Sequence, residues 1–256
     1  MEQIMTASEL IAYMESLRNE SQREVLMGFF KTGPGEYGEG DEFLGLKVPQ
    51  TREIVKAIAK DYPVSEVASL LKSRWHEVRL CGLLILVEKF EKVATERYAN
   101  NIKASFMRDS VVMIYVSHAK YVNNWDLVDL SAPKILGQWL LLPSNVGGRK
   151  AKQRMLDNFA KSSDLWKQRI SMVCTLTPIR KGDPSWCLRY AEMHLSHPHD
   201  LMQKAVGWML REMGKHVSID LLRDFLRQHA HEMSRTTLRY AIEKMSDAER
   251  KEWMNY

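Results

Sequence analysis

Trp125, Asp126 and Asp129 stand together in Tyr121–Leu130, YVNNWDLVDL, directly after an Asn-Asn pair. Asn123 and Asn124 suit a helix N-cap, because an Asn side chain accepts from the free backbone N–H groups of a first helical turn. A helix opening there sets Trp125 and Asp129, four residues apart, on one face. An indole beside a carboxylate suits a ligand that is flat, apolar and positively charged, since the ring face and the carboxylate both attract a cation.

A second group of residues is basic. Arg79, Asp129, Arg169, Lys204 and Arg239 recur at spacings of 50, 40, 35 and 35 residues, each in a helical segment followed by mainly apolar residues. Repeats of paired helices have periods near 40, and stacking them lines equivalent positions along one wall. Four of the five positions are then cationic. Such a wall suits a phosphate backbone, each contact releasing counterions; a solvated charged face is the plainer alternative. Lys204, Trp208 and Arg211 strengthen the first option, because i, i+4 and i+7 spacing makes one stripe of base, aromatic and base. In such a stripe cations hold phosphates while an indole meets a sugar or base. A core position for Trp208 has the same spacing.

Asp129 is the misfit in this wall, because a carboxylate repels phosphates. It can pair with Arg169 across neighbouring repeats, or it can face a cation bound in the groove. N3- and N7-alkylated purines carry such a charge, and losing the base gives the sugar oxocarbenium character. At ~4 Å and an effective dielectric near 20 the attraction is roughly 4 kcal/mol. Felt only in the transition state, and before screening by water or Arg169, it corresponds to roughly a thousandfold in rate.

Other candidates are weaker. Gly33–Gly40, GPGEYGEG, lacks the Gly-Lys-Ser/Thr ending of a phosphate-binding loop, so a connector touching a phosphate backbone is the expectation there. His194, His197, His199 and Asp200 have metal-like spacing, yet Pro198 and a helix end make a polar turn the better reading, and no metal is implied. Cys81, Cys174 and Cys187 are odd in number, without CxxC spacing or an activating neighbour, which fits a reducing cytoplasm.

The elements that must hold these groups read as helix after helix, with no period-2 strand. Thr6-x-x-Glu9 and Ser21-x-x-Glu24 resemble capping boxes opening helices over 7–17 and 22–31, and Ser246-x-x-Glu249 opens the last, over 247–254. Between them the pattern predicts helices from Pro49 to about 60 and over 64–72, 76–91 and 95–108. The apolar stretch 111–116 leads into the key segment. Pro133 should kink or restart the helix. Further helices follow over 150–161, 164–175, 184–195, 200–214, 218–229 and 235–245. No linker marks a domain boundary, so 1–256 reads as one all-α domain, a helical solenoid or large bundle. Apolar content is 45%, charged content 27% and net charge +5, ordinary values that tilt towards a polyanionic partner. No apolar run is long enough for a membrane helix, and the start, MEQIMTASEL, lacks the basic n-region and apolar core expected of a signal peptide.

These segments resemble the AlkD family of HEAT-like-repeat alkylpurine DNA glycosylases from about Phe43 to Lys244. The carrying motifs are DEFLGLKVPQTR (41–52), NNWDLVD (123–129), SDLWKQRI (163–170), KAVGWMLREMGK (204–215) and RTTLRYAIEKM (235–245). The resemblance implies a right-handed, C-shaped solenoid of antiparallel helix pairs with a basic concave face for double-stranded DNA carrying alkylated purines, working as a monomer without cofactor. By motif position it implies that Asp129 is the catalytic aspartate, with Trp125, Trp208 and Arg169 completing the site. Arg211 is implied as a backbone-binding arginine, beside the Arg79, Lys204 and Arg239 of the wall. The implied reaction is N-glycosylase excision of cationic N3- or N7-alkylated purines, leaving an abasic site. A non-catalytic HEAT-repeat module that binds damaged or branched DNA is the second reading, and a protein scaffold the third.

Overall fold

The computed structural model describes residues 5–255, and among them all regular structure is helical. The chain forms two compact units, one running to Ser131 and including Pro143–Asn145, the other made of Ala132–Leu142 and the residues from Val146 onward.

The first unit contains α1 (Ala7–Ser16), α2 (Glu20–Phe29), α3 (Val48–Ile58), α4 (Val64–Leu71), α5 (His76–Val93), α6 (Ile102–Ser117) and most of α7 (Trp125–Ala132). Helix α5 is its centre, packed by α3, α4 and α6 and buried almost all round its first three turns. That is why its sequence, HEVRLCGLLILV, lacks a clean polar stripe. The C-terminal end of α5 is closed by Arg108 of α6, whose buried guanidinium donates to the carbonyls of Val93 (2.6 Å), Tyr98 (3.0 Å) and Ala99 (2.9 Å). A cation against free carbonyls at a helix end satisfies both hydrogen bonding and the helix dipole.

The helix starts follow the expected side chains in most places. Thr6 and Glu9 form the reciprocal capping box of α1, and Ser246 caps the last helix. Ser21 does not cap α2. Asn19 does, accepting from Gln22 N at 3.0 Å, so α2 begins two residues earlier than its capping-box pattern suggests. The expected helix over 95–108 and the apolar stretch after it are one helix, α6, opened by Asn101; residues Glu96–Tyr98 form only a short 3-10 turn.

The second unit contains α8 (Gln138–Leu141), α9 (Arg149–Ala160), α10 (Leu165–Val173), α11 (Leu176–Arg180), α12 (Ser185–Met193), α13 (Asp200–His216), α14 (Ile219–His229), α15 (Arg235–Ile242) and α16 (Asp247–Met254). Helix α7 ends at Ala132, directly before Pro133. Pro133–Gly137 widens into a π turn whose flanking residues keep helical dihedrals, so the helical path continues to Leu141. The wider turn accommodates the missing proline N–H, and the Pro133 carbonyl accepts from Thr177 Oγ1 at 2.6 Å.

Helix α13 is the hub of this unit, packed by α10, α11, α12, α14 and α15. Gly207 makes its closest contact possible. A Cβ there would lie 2.4 Å from the Thr237 carbonyl oxygen and 2.5 Å from the Tyr240 Cβ of α15. Gly207→Ala should therefore lower the unfolding free energy by about 1–3 kcal/mol, the range for overpacking a tight core. Denaturant unfolding of the variant checks this, and unchanged stability would mean that α15 can retreat without cost.

Candidate functional site

The opening of α7 depends on Asn124, which is fully buried and accepts from Trp125 N through Oδ1 at 2.8 Å, while its carbonyl accepts from Val128 N at 3.2 Å. Trp125 and Asp129 follow on the same face, and both are half-buried. Asp126, one residue past Trp125, turns the other way and is buried.

Trp125 rests on an aromatic layer that the sequence reading did not anticipate. Its indole stacks on Phe30 with centroids 5.5 Å apart, and Phe30 stacks on Phe43 at 5.1 Å. Phe29 meets the indole edge-on at 5.9 Å and is 60% exposed. An exposed phenyl ring at the end of α2 thus borders the Trp125 indole.

Beneath this layer lies a buried ionic cluster. His76, the first residue of α5, is 2% exposed and stacks on Phe43 at 4.4 Å. Its Nδ1 is 2.8 Å from the Asp41 carboxylate and its Nε2 is 2.9 Å from the Asp126 carboxylate. Arg79, one turn along α5, pairs with the other Asp41 oxygen and donates to the carbonyls of Ser73 (3.0 Å) and Arg74 (2.8 Å). Arg79 is 4% exposed, with its guanidinium turned to Asp41 and to carbonyls just past the end of α4. The repeat register put Arg79 in a helix correctly but could not reveal a partner 38 residues away.

The segment Asp41–Leu46 belongs to the same construction. Glu77 of α5 accepts from the N–H groups of Leu44, Gly45 and Leu46 at 2.9, 2.8 and 3.0 Å, and the Glu42 carbonyl accepts from His76 N at 2.8 Å. Gly45 has φ +88°, and a Cβ there would lie 2.1 Å from the Asn19 carbonyl oxygen. DEFLG is thus a clamp on the start of α5. The preceding Gly-rich loop is closed on itself. Its Gly33 and Gly35 amides donate to the carboxylates of Glu36 (2.9 Å) and Glu39 (3.0 Å).

In the second unit Arg169 is buried on α10 and donates to the Leu201 carbonyl at 2.5 Å, tying α10 to the first turn of α13. Arg211 is committed to Glu243 and lies 3.6 Å from Glu212. Lys204 bridges to Asp200 at 2.6 Å but keeps its side chain substantially exposed, Arg239 is exposed on α15, and Trp208 is half-buried on α13. The histidine segment is a polar turn: His199 Nδ1 accepts from Leu201 N at 3.1 Å and caps α13, and His197 Nε2 meets Gln168 at 2.9 Å. Burial, with His197 adding to it, pushes His194 down to about 4. Among the described residues no group of three or more His, Cys, Asp or Glu is arranged to hold a metal ion. The three cysteines are buried and free, with thiol pKa values pushed up by burial, so none is a ready nucleophile.

With this geometry in hand, comparison with known proteins is decisive on kinship. The family model described as DNA alkylation repair enzyme matches residues 10–245. The chain belongs to that family. A solved structure described as a predicted DNA alkylation repair enzyme from Enterococcus faecalis is similar in fold, with a TM-score of 0.63 and 15% identity over 90% of this chain and 97% of that one. No curated protein matches the sequence. The resemblance expected from the motifs is thereby established for the family and for the all-α fold of helix pairs. Among the described residues no helix is long and apolar enough to cross a membrane.

The ionic cluster gives this family member a defined pH response. Burial opposes charge on His76, but Asp126 and Asp41 outweigh it and raise its pKa to about 9. Burial likewise works to raise the Asp41 carboxyl, and His76 and Arg79 more than cancel this, holding it below its usual range. His76 has a folded pKa above its unfolded value of about 6.5, so its contribution is complete below that pH and is lost as pH rises through about 9. Asp41 acts in the opposite sense: its contribution holds above about 3.9 and disappears as pH falls. Urea unfolding at pH 6.5 and pH 10 should differ by a stability loss on the order of 3 kcal/mol, much of it absent in His76→Gln. An equal loss in wild type and variant would remove His76 as the cause.

Proposed function

We propose that the chain is a DNA N-glycosylase that excises N3- or N7-alkylated purines from double-stranded DNA and leaves an abasic site. The observation that carries the reading is the shared face of Trp125 and Asp129 on α7, half-buried and backed by Phe30, in a member of a DNA alkylation repair family. The substrate base is cationic before reaction. As the C1′–N bond breaks, the bonding electrons leave with the base and neutralise it, and positive charge moves to the deoxyribose. Asp129 meets that charge, and the π-face of Trp125 meets the cationic base or sugar. Water then adds to C1′ and releases its proton, with Asp129 orienting it. The stabilisation is aimed at charge that develops late, so it acts on rate more than on binding.

In the second unit, Trp208 and Lys204 on α13 and Arg239 on α15 supply DNA contacts, while Arg169 and Arg211 hold their helices in place through internal bonds. Salt dependence separates these roles. Lys204→Ala and Arg239→Ala should each weaken binding to undamaged duplex and reduce the slope of log affinity against log salt by about 1. Slopes equal to the wild-type value would remove both residues from the interface.

Release of methylated base from alkylated duplex DNA tests the reaction itself. Wild type should release it, and Asp129→Asn should be slower by roughly a hundredfold to a thousandfold. Absence of release by wild type, or equal release by both proteins, rejects the mechanism and leaves damage-specific DNA binding as the alternative.

A further inference from the structure

Nothing in the reaction just described uses His76, Asp41 or Asp126, yet these residues lie directly beneath the residues that it does use. Asp126 occupies the first turn of α7, between Trp125 and Asp129 in sequence, and is buried with His76 Nε2 2.9 Å from its Oδ2. Its Oδ1 is also buried and has no hydrogen-bond partner. His76 is therefore the group that compensates this carboxylate. On the other side of the ring, Nδ1 is 2.8 Å from Asp41, on the segment that Glu77 clamps to α5.

The geometry dictates a protonation state. A neutral imidazole has one N–H and one lone pair, so between two carboxylates it would aim the lone pair at one of them. Only the imidazolium donates to both. The charges then balance within the cluster: Asp41 and Asp126 against His76 and Arg79. Phe30, just past α2, and Phe43 line the ring without adding charge, and the neighbouring Glu77 is turned to the backbone amides of residues 44–46.

Resting on the glycosylase reading above, we propose that His76 is a positioning residue for that reaction: as an imidazolium bridging Asp41 and Asp126, it fixes the first turn of α7 and so the direction in which Trp125 and Asp129 face the substrate. It touches neither substrate nor reacting atoms. Its effect runs through one helical turn, where a displacement of about 1 Å is enough to cost roughly a hundredfold in rate. The stack of Trp125 on Phe30 and of Phe30 and Phe43 on His76 ties the indole to the same cluster, so helix and ring are held by one anchor.

The test compares wild type, His76→Gln, Asp126→Asn and the double variant, all checked for folding by circular dichroism and thermal unfolding. The substrate is a duplex oligonucleotide containing one N7-methylguanine, cut under single-turnover conditions. His76→Gln should lower the rate by between about tenfold and a hundredfold while duplex affinity changes by less than about twofold. Adding it to Asp126→Asn should cost little more, because the two act through one bond. The alkaline limb of the wild-type rate profile should be missing in His76→Gln. A variant rate within twofold of wild type, additive effects in the double variant, or the same alkaline limb in both proteins overturns the proposal.

A second measurement stands without activity. In 15N-histidine-labelled protein at pH 7, the His76 ring, assigned by its loss in His76→Gln, should carry protons on both nitrogens. Backbone amides of Trp125–Asp129 should exchange at least about tenfold faster in the variant. A neutral ring, or unchanged exchange, overturns the positioning role even in a wild type that releases no base. Inactivity of wild type together with a doubly protonated ring and faster exchange overturns the glycosylase reading instead, and with it the positioning of that reaction.

Discussion

An imidazolium held between two carboxylates, away from water, is the constraint around which the first unit is assembled. Burying any one of these charges alone would be costly, and removing one partner from such a set leaves the others exposed to the full desolvation penalty. Asp41, His76, Asp126 and Arg79 avoid that by closing on one another, and in doing so they join three separate stretches of chain: the segment after the Gly-rich loop, the start of α5 and the start of α7. The aromatic layer of Phe30, Phe43 and Trp125 lies against the cluster. The exposed consequence is a helix turn that carries a half-buried indole and a half-buried carboxylate in fixed relation.

The anchor explains why motifs that look functional are divided between two tasks. NNWDLVD faces both ways: Trp125 and Asp129 outward, Asp126 and Asn124 inward. DEFLG mainly serves the fold; Asp41 pairs with His76 and Arg79, and the three amides of residues 44–46 sit on Glu77. Gly207, in the most distinctive motif of the second unit, is there because α15 passes too close for any side chain. Family membership is thus written as much in the residues that hold the helices as in those that face a substrate.

The helices could be read from the sequence because their signals are local. Thr6 and Ser246 cap where the pattern placed them, and Asn124 opens α7. Ser21 misled because Asn19, two residues earlier, offers the same kind of acceptor, and only the chain path decides between them. The π turn at Pro133 has no local sequence signal beyond the proline itself, and the Thr177 hydroxyl that donates to the Pro133 carbonyl comes from 44 residues away. The site was half readable. Trp125 and Asp129 share a face by spacing alone, whereas the His76 cluster is made of partners 35 and 50 residues apart, with no periodicity to announce them. At Arg79 the register finds the helix but says nothing about whether the cation meets solvent or a buried carboxylate.

The central claim is that α7 offers a carboxylate to positive charge developing on a sugar. Duplex oligonucleotides carrying two abasic-site analogues of the same shape test it most directly, one a cationic pyrrolidine and the other a neutral tetrahydrofuran. Equilibrium binding at fixed salt should favour the pyrrolidine by a hundredfold or so, as transition-state analogues do, and Asp129→Asn should abolish most of that preference. Equal affinity for the two analogues, or a preference that survives in Asp129→Asn, would contradict the account.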